Sequence, residues 1–151
     1  MPGFVDTTPA GECIFCKLIA GQIPSARVFE DESTVAFMDL GQVNPGHVLV
    51  AVRRHAATLL DLTPEEAGAV LQTARRIALA AQEAFSPEGI TLLQANGAVA
   101  GQTVGHFHVH VLPRHAGDGV DLAWPRKDPG ATALNEYAGR LRTALQAGGA
   151  R

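Results

Sequence analysis

The segment His106-Phe107-His108-Val109-His110-Val111-Leu112-Pro113-Arg114 alternates histidine with apolar, largely β-branched residues and holds three of the six histidines of the chain. Alternation with period two is the signature of a β-strand, in which every second side chain shares a face and recurs roughly every 6.5–7 Å. Three imidazoles on one face make that face a reactive surface, and the rest of the chain has to be read for what surrounds it.

The remaining pattern predicts α+β organisation. A short apolar turn, 14–20, runs from Cys13 to a helix stop at Gly21, and Pro24 begins an extended segment. Segments 26–30 and 34–38, split by Asp31, Glu32 and Ser33, read as a β-hairpin, and 47–52 as a third strand after the loop 39–46. Thr63 followed by Pro64, with Glu66 three positions after the threonine, is a capping-box start. Ala67, Val70, Leu71, Ala74, Ile77, Ala78, Ala81 and Phe85 then form one helical stripe, read as core. Strands are predicted at 89–94 and 104–112, separated by a small-residue loop at 95–101, and a C-terminal amphipathic helix at 133–146 carries Leu134, Tyr137, Leu141 and Leu145. Short connections between successive strands favour antiparallel pairing, with one long helix inserted between the third and fourth strands. A single domain is expected over 12–147, with 1–11 and 148–151 as flexible ends.

With 46% hydrophobic and 18% charged residues in 151, the chain has enough apolar material for an ordinary core. A net charge of −3 gives no broad attraction for nucleic acid or an anionic bilayer, so a phosphate-bearing ligand has to be held by a local site. No leader pattern opens the chain, and no apolar run approaches the roughly 18 residues of a membrane span. A soluble cytoplasmic protein with neither a membrane nor a nucleic-acid partner is expected.

Three readings compete for the histidine segment. Structural histidines would bury three imidazoles without an evident set of partners. A catalytic metal could take two ligands from alternate positions, yet no carboxylate lies on the same strand. Nucleophilic catalysis at phosphorus uses one neutral imidazole for attack and its neighbours for the phosphate and leaving group. The approach to the strand favours the third: Asn96, Gly97, Gly101, Gln102, Thr103 and Gly105 form a small-residue segment whose backbone N–H groups and hydroxyl could cradle an anion.

With these residues in place the chain resembles the histidine triad (HIT) family. The likeness extends to Cys13-Ile14-Phe15-Cys16, Gly21-Gln22-Ile23-Pro24, Phe29-Glu30-Asp31, Ala36-Phe37-Met38-Asp39, Pro45-Gly46-His47-Val48-Leu49-Val50, Arg54-His55 and Gly101-Gln102-Thr103-Val104, covering roughly 12–114. It is strongest to the Hint-like nucleotide-binding branch. The resemblance implies a five-stranded antiparallel sheet and hydrolysis or transfer at the α-phosphate of purine nucleotide conjugates, through a nucleotidyl-histidine and without a catalytic metal. It implies a homodimer as well. A dinucleoside polyphosphate hydrolase would use the same residues, and a zinc-stabilised nucleotide-binding module without turnover is the non-enzymatic alternative. By resemblance His108 is the nucleophile, His110 contacts phosphate and leaving group, and His47 completes the set. Gln102 and Thr103 hold phosphate oxygens, Asp39 accepts from ribose hydroxyls, and Phe15, Leu18, Ile23, Phe37 and Leu40 wall the base pocket. Where many Hint-like members carry a phosphate-contacting asparagine this chain has Ala95, with Asn96 as its neighbour; along an extended segment that offset turns the side chain away from the ligand.

Cys13 and Cys16 have the spacing of half a tetrahedral zinc site, with His55 and His106 as candidates for the other half. The resemblance supports a structural zinc. A redox pair and two metal-free reduced thiols are the rivals. Arg114 either pairs with phosphate or caps the strand end, and Trp124 either anchors packing or reaches a substrate.

Overall fold

A computed structural model describes Pro9 and residues 11–148, so the predicted flexible ends lie largely outside the described residues. Among those described, Pro9 already accepts hydrogen bonds from the amides of Glu12 and Cys13 (2.8 and 2.9 Å), and Gly148 is still helical. Two compact units divide the chain after Val120. In the first, the elements are α1 (Ile14–Ile19), β1 (Arg27–Glu30), β2 (Thr34–Met38), β3 (Val48–Val52), α2 (Pro64–Phe85), β4 (Gly89–Leu93) and β5 (His108–Arg114). The second carries α3 (Gly130–Gly148), longer at both ends than the predicted 133–146.

The five strands form one sheet in the order β1-β2-β3-β5-β4, every pair antiparallel. Asp31 closes the first hairpin by accepting from the amides of Ser33 (2.9 Å) and Thr34 (2.8 Å), the local bonding for which aspartate is favoured in turns. Thr63 caps α2 as predicted: its hydroxyl accepts from Glu66 N while the Glu66 carboxylate accepts from Thr63 N.

The period-two pattern sorts side chains to two faces. Ala36, Val48, Val50, Val52, Val109 and Val111 pack with Val70, Ala74 and Ile77 of α2. On the opposite face Val35, Phe37, Leu49 and Ala51 pack with Cys13 and Phe15 of the α1 segment. Because Ala51 pairs with His108 and Leu49 with His110, both histidines lie on this second face while Val109 and Val111 point into the α2 core.

Three local predictions need correction. Leu71 of the helical stripe is 60% exposed, and Thr73 is buried instead, its hydroxyl 2.8 Å from that of buried Thr34. An apolar-periodicity argument passes over a threonine, which enters a core only when paired. β5 begins at His108 rather than at residue 104. Phe107 N donates to Ala56 O (2.7 Å), and the Val52 carbonyl at the end of β3 is 2.7 Å from the His106 ring Nε2, so the ladder gives way there to loop and imidazole contacts. The expected third member of the histidine face therefore stands off the strand. Among the described residues no helix is long and apolar enough to cross a membrane.

Gly46, immediately before His47, has φ +93°, and a Cβ there would lie 2.6 Å from the Phe85 ring. Gly46→Ala is expected to cost about 1–3 kcal/mol through the left-handed backbone alone, more if the ring cannot swing aside. Urea denaturation of the variant measures it.

Candidate functional site

His108 and His110 come from β5, His47 precedes β3, and Asp39 follows β2. The connection between β2 and β3 is held by Gln42. Its Nε2 donates to the carbonyls of Asp39 (2.6 Å) and His47 (2.7 Å), and its Oε1 accepts from the amides of Gly46 (3.0 Å) and His47 (3.1 Å). Sequence reasoning missed Gln42; a single glutamine in a Gly-Asn-Pro loop carries no pattern that reveals this bracing.

Hydrogen-bond partners assign the imidazole protons. His108 Nδ1 lies 2.6 Å from the carbonyl of His106, which can only accept, so Nδ1 carries the proton and Nε2 keeps its lone pair. Val43 N donates to His47 Nδ1 (3.5 Å), which leaves the proton on His47 Nε2, 2.9 Å from His110 Nδ1 and 3.5 Å from Asp39 Oδ2. His110 is then an acceptor at Nδ1 and a donor at Nε2. Adjacent imidazoles, with ring centroids 5.1 Å apart, thus hold opposite tautomers: one offers a lone pair and the other a proton. Asp39, His47 and His110 also bring their ligand atoms within 4.8 Å of one another, and the shared His47 proton accounts for that closeness.

Burial lowers the basicity of His108, against the pull of the His106 carbonyl and Asp39 toward the cation. Burial also lowers His110, to about 4, helped by His108 and His47. Both rings are held toward the neutral form.

His108 and His110 open onto a cavity of about 210 Å³. Phe15, Leu18, Phe37 and Leu40 line it as predicted, together with Asp39 and Thr103. Ile23 does not: the turn at Gly21 (φ +76°) delivers Pro24, Ser25 and Ala26 to the wall instead. Gln102 and Asn96 are absent from the lining as well. The buried Gln102 amide accepts from Gly97 N (2.7 Å) and donates to the carbonyls of Ala57 (2.6 Å) and Val104 (2.9 Å), which uses up its donors. Asn96 accepts from Leu59 N (2.7 Å) and pairs with the amide of Gln94. Part of the expected anion cradle is likewise committed internally, since the amides of Gly97, Gly101 and Gln102 all bond within the loop. Of the predicted phosphate contacts, His110 and Thr103 line the cavity. Arg114 is taken by a two-pronged pair with Asp118 (2.7 and 3.1 Å), which holds that carboxyl well below the usual range, so it braces the strand end. Trp124 belongs to the second unit.

A second cluster unites Cys13, Cys16, His55 and His106, ligand atoms again within 4.8 Å. His106 Nδ1 stands 3.6 Å from Cys13 Sγ and 3.5 Å from Cys16 Sγ, and His55 Nδ1 stands 3.3 Å from Cys16 Sγ. Tetrahedral bonds of about 2.3 Å to sulfur and 2.0 Å to nitrogen put neighbouring donors about 3.5 Å apart. These residues therefore fit a four-coordinate ion. The Val52 carbonyl fixes the proton of His106 on Nε2 and frees Nδ1, as metal-bound histidines require. Burial and Cys13 push the Cys16 thiol up to about 11 and burial takes His106 down to about 4; a dication at the centre would favour the thiolates.

A HIT domain family model matches residues 20–117. The chain is 45% identical over 116 residues to "Protein hit" of Bacillus subtilis, covering 76% of this chain and 80% of that protein. It is 34% identical over 114 residues to adenosine 5'-monophosphoramidase hnt1 of Schizosaccharomyces pombe, covering 75% and 83%. Among solved structures, a HIT family protein from Bacillus anthracis superposes with a TM-score of 0.86 at 38% identity, covering 91% of this chain and 99% of that one. A Zn-bound histidine triad family protein from Mycobacterium smegmatis gives 0.71 at 32% identity, covering 91% and 100%.

Two outcomes follow from this geometry. Gln102→Glu keeps an acceptor for Gly97 but loses both donors, and is expected to cost about 2–3 kcal/mol in urea denaturation; a side chain that only touched ligand phosphate would leave stability unchanged. His110 is neutral in the fold to about pH 4 while the unfolded chain protonates from the ordinary 6.5, so stability is complete above that value and declines as pH falls through the window. His110→Gln is expected to flatten that decline between pH 7 and 5, read from unfolding midpoints.

Proposed function

The chain belongs to the HIT family, and from that premise we propose that it hydrolyses nucleoside phosphoramidates and related conjugates at the α-phosphate through a covalent intermediate on His108. The observation that carries the reading is the pair of opposite tautomers at the cavity: His108 Nε2 unprotonated, His110 Nε2 protonated. The phosphoramidase relative supports the choice of leaving group.

In the first step His108 Nε2 attacks phosphorus, a P–N bond to the imidazole forms, and the P–N bond to the leaving amine breaks as that amine takes the His110 Nε2 proton. Water then attacks phosphorus, the bond to His108 breaks, and the water proton returns to His110, releasing a nucleoside monophosphate. As His110 Nε2 gives up its proton, His110 Nδ1 takes the one on His47 Nε2, and the negative charge left on this histidine pair is matched by the positive charge of the nucleotidyl-His108 ring until water returns the proton. Phe15, Leu18, Phe37 and Leu40 receive the base, Asp39 accepts from the ribose and Thr103 binds a phosphate oxygen.

Cys13, Cys16, His55 and His106 hold a structural zinc, which ties the α1 segment to the approach of β5 and has no open coordination position for chemistry. The edge strand β4, with Leu92 exposed beside Leu71 of α2, supports a homodimer.

With adenosine 5'-phosphoramidate, rapid denaturation at alkaline pH and intact mass measurement are expected to reveal a nucleotidyl adduct on the wild type and none on His108→Ala. His110→Gln is expected to slow turnover by about 10²–10⁴-fold. Nucleotide binding without any adduct or turnover would overturn the enzyme in favour of a binding module, and faster turnover of diadenosine tetraphosphate would reassign the leaving group.

A further inference from the structure

His106 belongs to two sites at once. Its fully buried ring faces both thiols through Nδ1 and Val52 O through Nε2, and its main-chain carbonyl accepts the His108 Nδ1 proton at 2.6 Å. A neutral histidine side chain in water prefers the proton on Nε2, so the Nδ1–H form of His108, with its lone pair facing the cavity, depends on that carbonyl being held in place. No β-ladder holds it, because β5 starts only at His108. It is held by the His106 ring, the bond from Phe107 N to Ala56 O and a longer one from Val52 N to Phe107 O (3.4 Å), and Ala56 adjoins His55, another member of the cysteine–histidine cluster.

A second link runs through Phe15, which lies between the two cysteines. Its ring meets His108 edge-on at 5.0 Å and Phe37 at 5.2 Å. α1 has six residues, too short to persist on helix propensity alone; Arg27 holds its last carbonyls, and at its uncapped N-terminal end, where Phe15 lies, the anchoring comes from Cys13 and Cys16.

We propose that metal binding at Cys13, Cys16, His55 and His106 positions the nucleophile: it fixes the carbonyl behind His108 and the aromatic ring beside it, with His106 as the positioning residue. The proposal rests on the reading of those four residues as a metal site and of His108 as the reactive group, and makes catalytic competence of a metal-free reaction conditional on a metal elsewhere in the fold.

The test uses the full chain with ¹⁵N-labelled histidine, loaded with Zn²⁺ or stripped by a chelator under reducing conditions. Long-range ¹H–¹⁵N correlation reads the His108 tautomer. The loaded protein is expected to show Nδ1–H alone; the stripped protein, with the sheet intact by the methyl signals of Val50 and Val109, is expected to show mixed tautomers and at least a tenfold fall in adduct formation. A single Nδ1–H tautomer in both forms overturns the proposal, as does failure to bind one zinc per chain. Should the stripped protein unfold, His55→Gln takes its place, since His55 touches neither His108 nor the cavity. Zinc titration of that variant is expected to restore the tautomer and adduct formation together, and recovery of stability with the tautomer unchanged overturns the coupling. Absence of adduct on loaded protein whose His108 is Nδ1–H would refute the proposed reaction and leave the coupling standing, so the two failures are distinguishable.

Discussion

The antiparallel pairing of β3 with β5 governs what each residue of the histidine segment can do. It sets Ala51 against His108 and Leu49 against His110, and by the two-residue period sends Val109 and Val111 to the α2 core. A slip of one residue would bury the imidazoles among valines and expose the valines to the cavity. Register is therefore enforced from both sides of the sheet: by the apolar area that α2 covers, and by the desolvation cost of misplaced histidines.

On the cavity side the protein uses burial and directed hydrogen bonds in place of charge. His108 and His110 both lose basicity to desolvation, and a backbone acceptor for the one and a donor on a neighbouring ring for the other decide which nitrogen is bare. A lone pair and a proton side by side would largely cancel in water through tautomer exchange. Here each is fixed by a partner that can play only one role, the His106 carbonyl in one case and the chain from Val43 N through His47 in the other.

The polar residues around the site divide by whether their bonding capacity is already used. Gln42 and Gln102 spend both amide donors on the protein and bracket the loops that deliver Asp39, His47 and Thr103, while Asn96 and Arg114 are committed to protein partners. Thr103 and Asp39 keep an atom toward the cavity. A buried amide with all its partners makes a rigid brace because any loop movement would leave a donor unpaired, at a cost of about 1–3 kcal/mol for each group. The glycines at 97 and 101, with φ near +90°, permit the tight turn that Gln102 closes.

Much of this was legible in the chain. The hairpin at Asp31, the capping box at Thr63, the five strands and the cysteine–histidine cluster are local patterns or spacings with a direct physical cause, and the structure places them within a few residues of expectation. The commitment of Gln102 is not legible, because residue type and loop membership do not reveal whether an amide is already bonded to Ala57, many positions away, whereas the offset at Ala95 already turns Asn96 from the ligand. For His106 the cysteine spacing offers the ring as a partner of Cys13 and Cys16, as the structure has it, while alternation places the residue on a strand that begins only at His108. What the sequence alone determined are the properties set by neighbours along the backbone: where strands and helices lie, how the first hairpin turns, which faces are apolar. Only the tertiary structure decided which polar atoms remain unbonded, because that depends on partners brought together by folding.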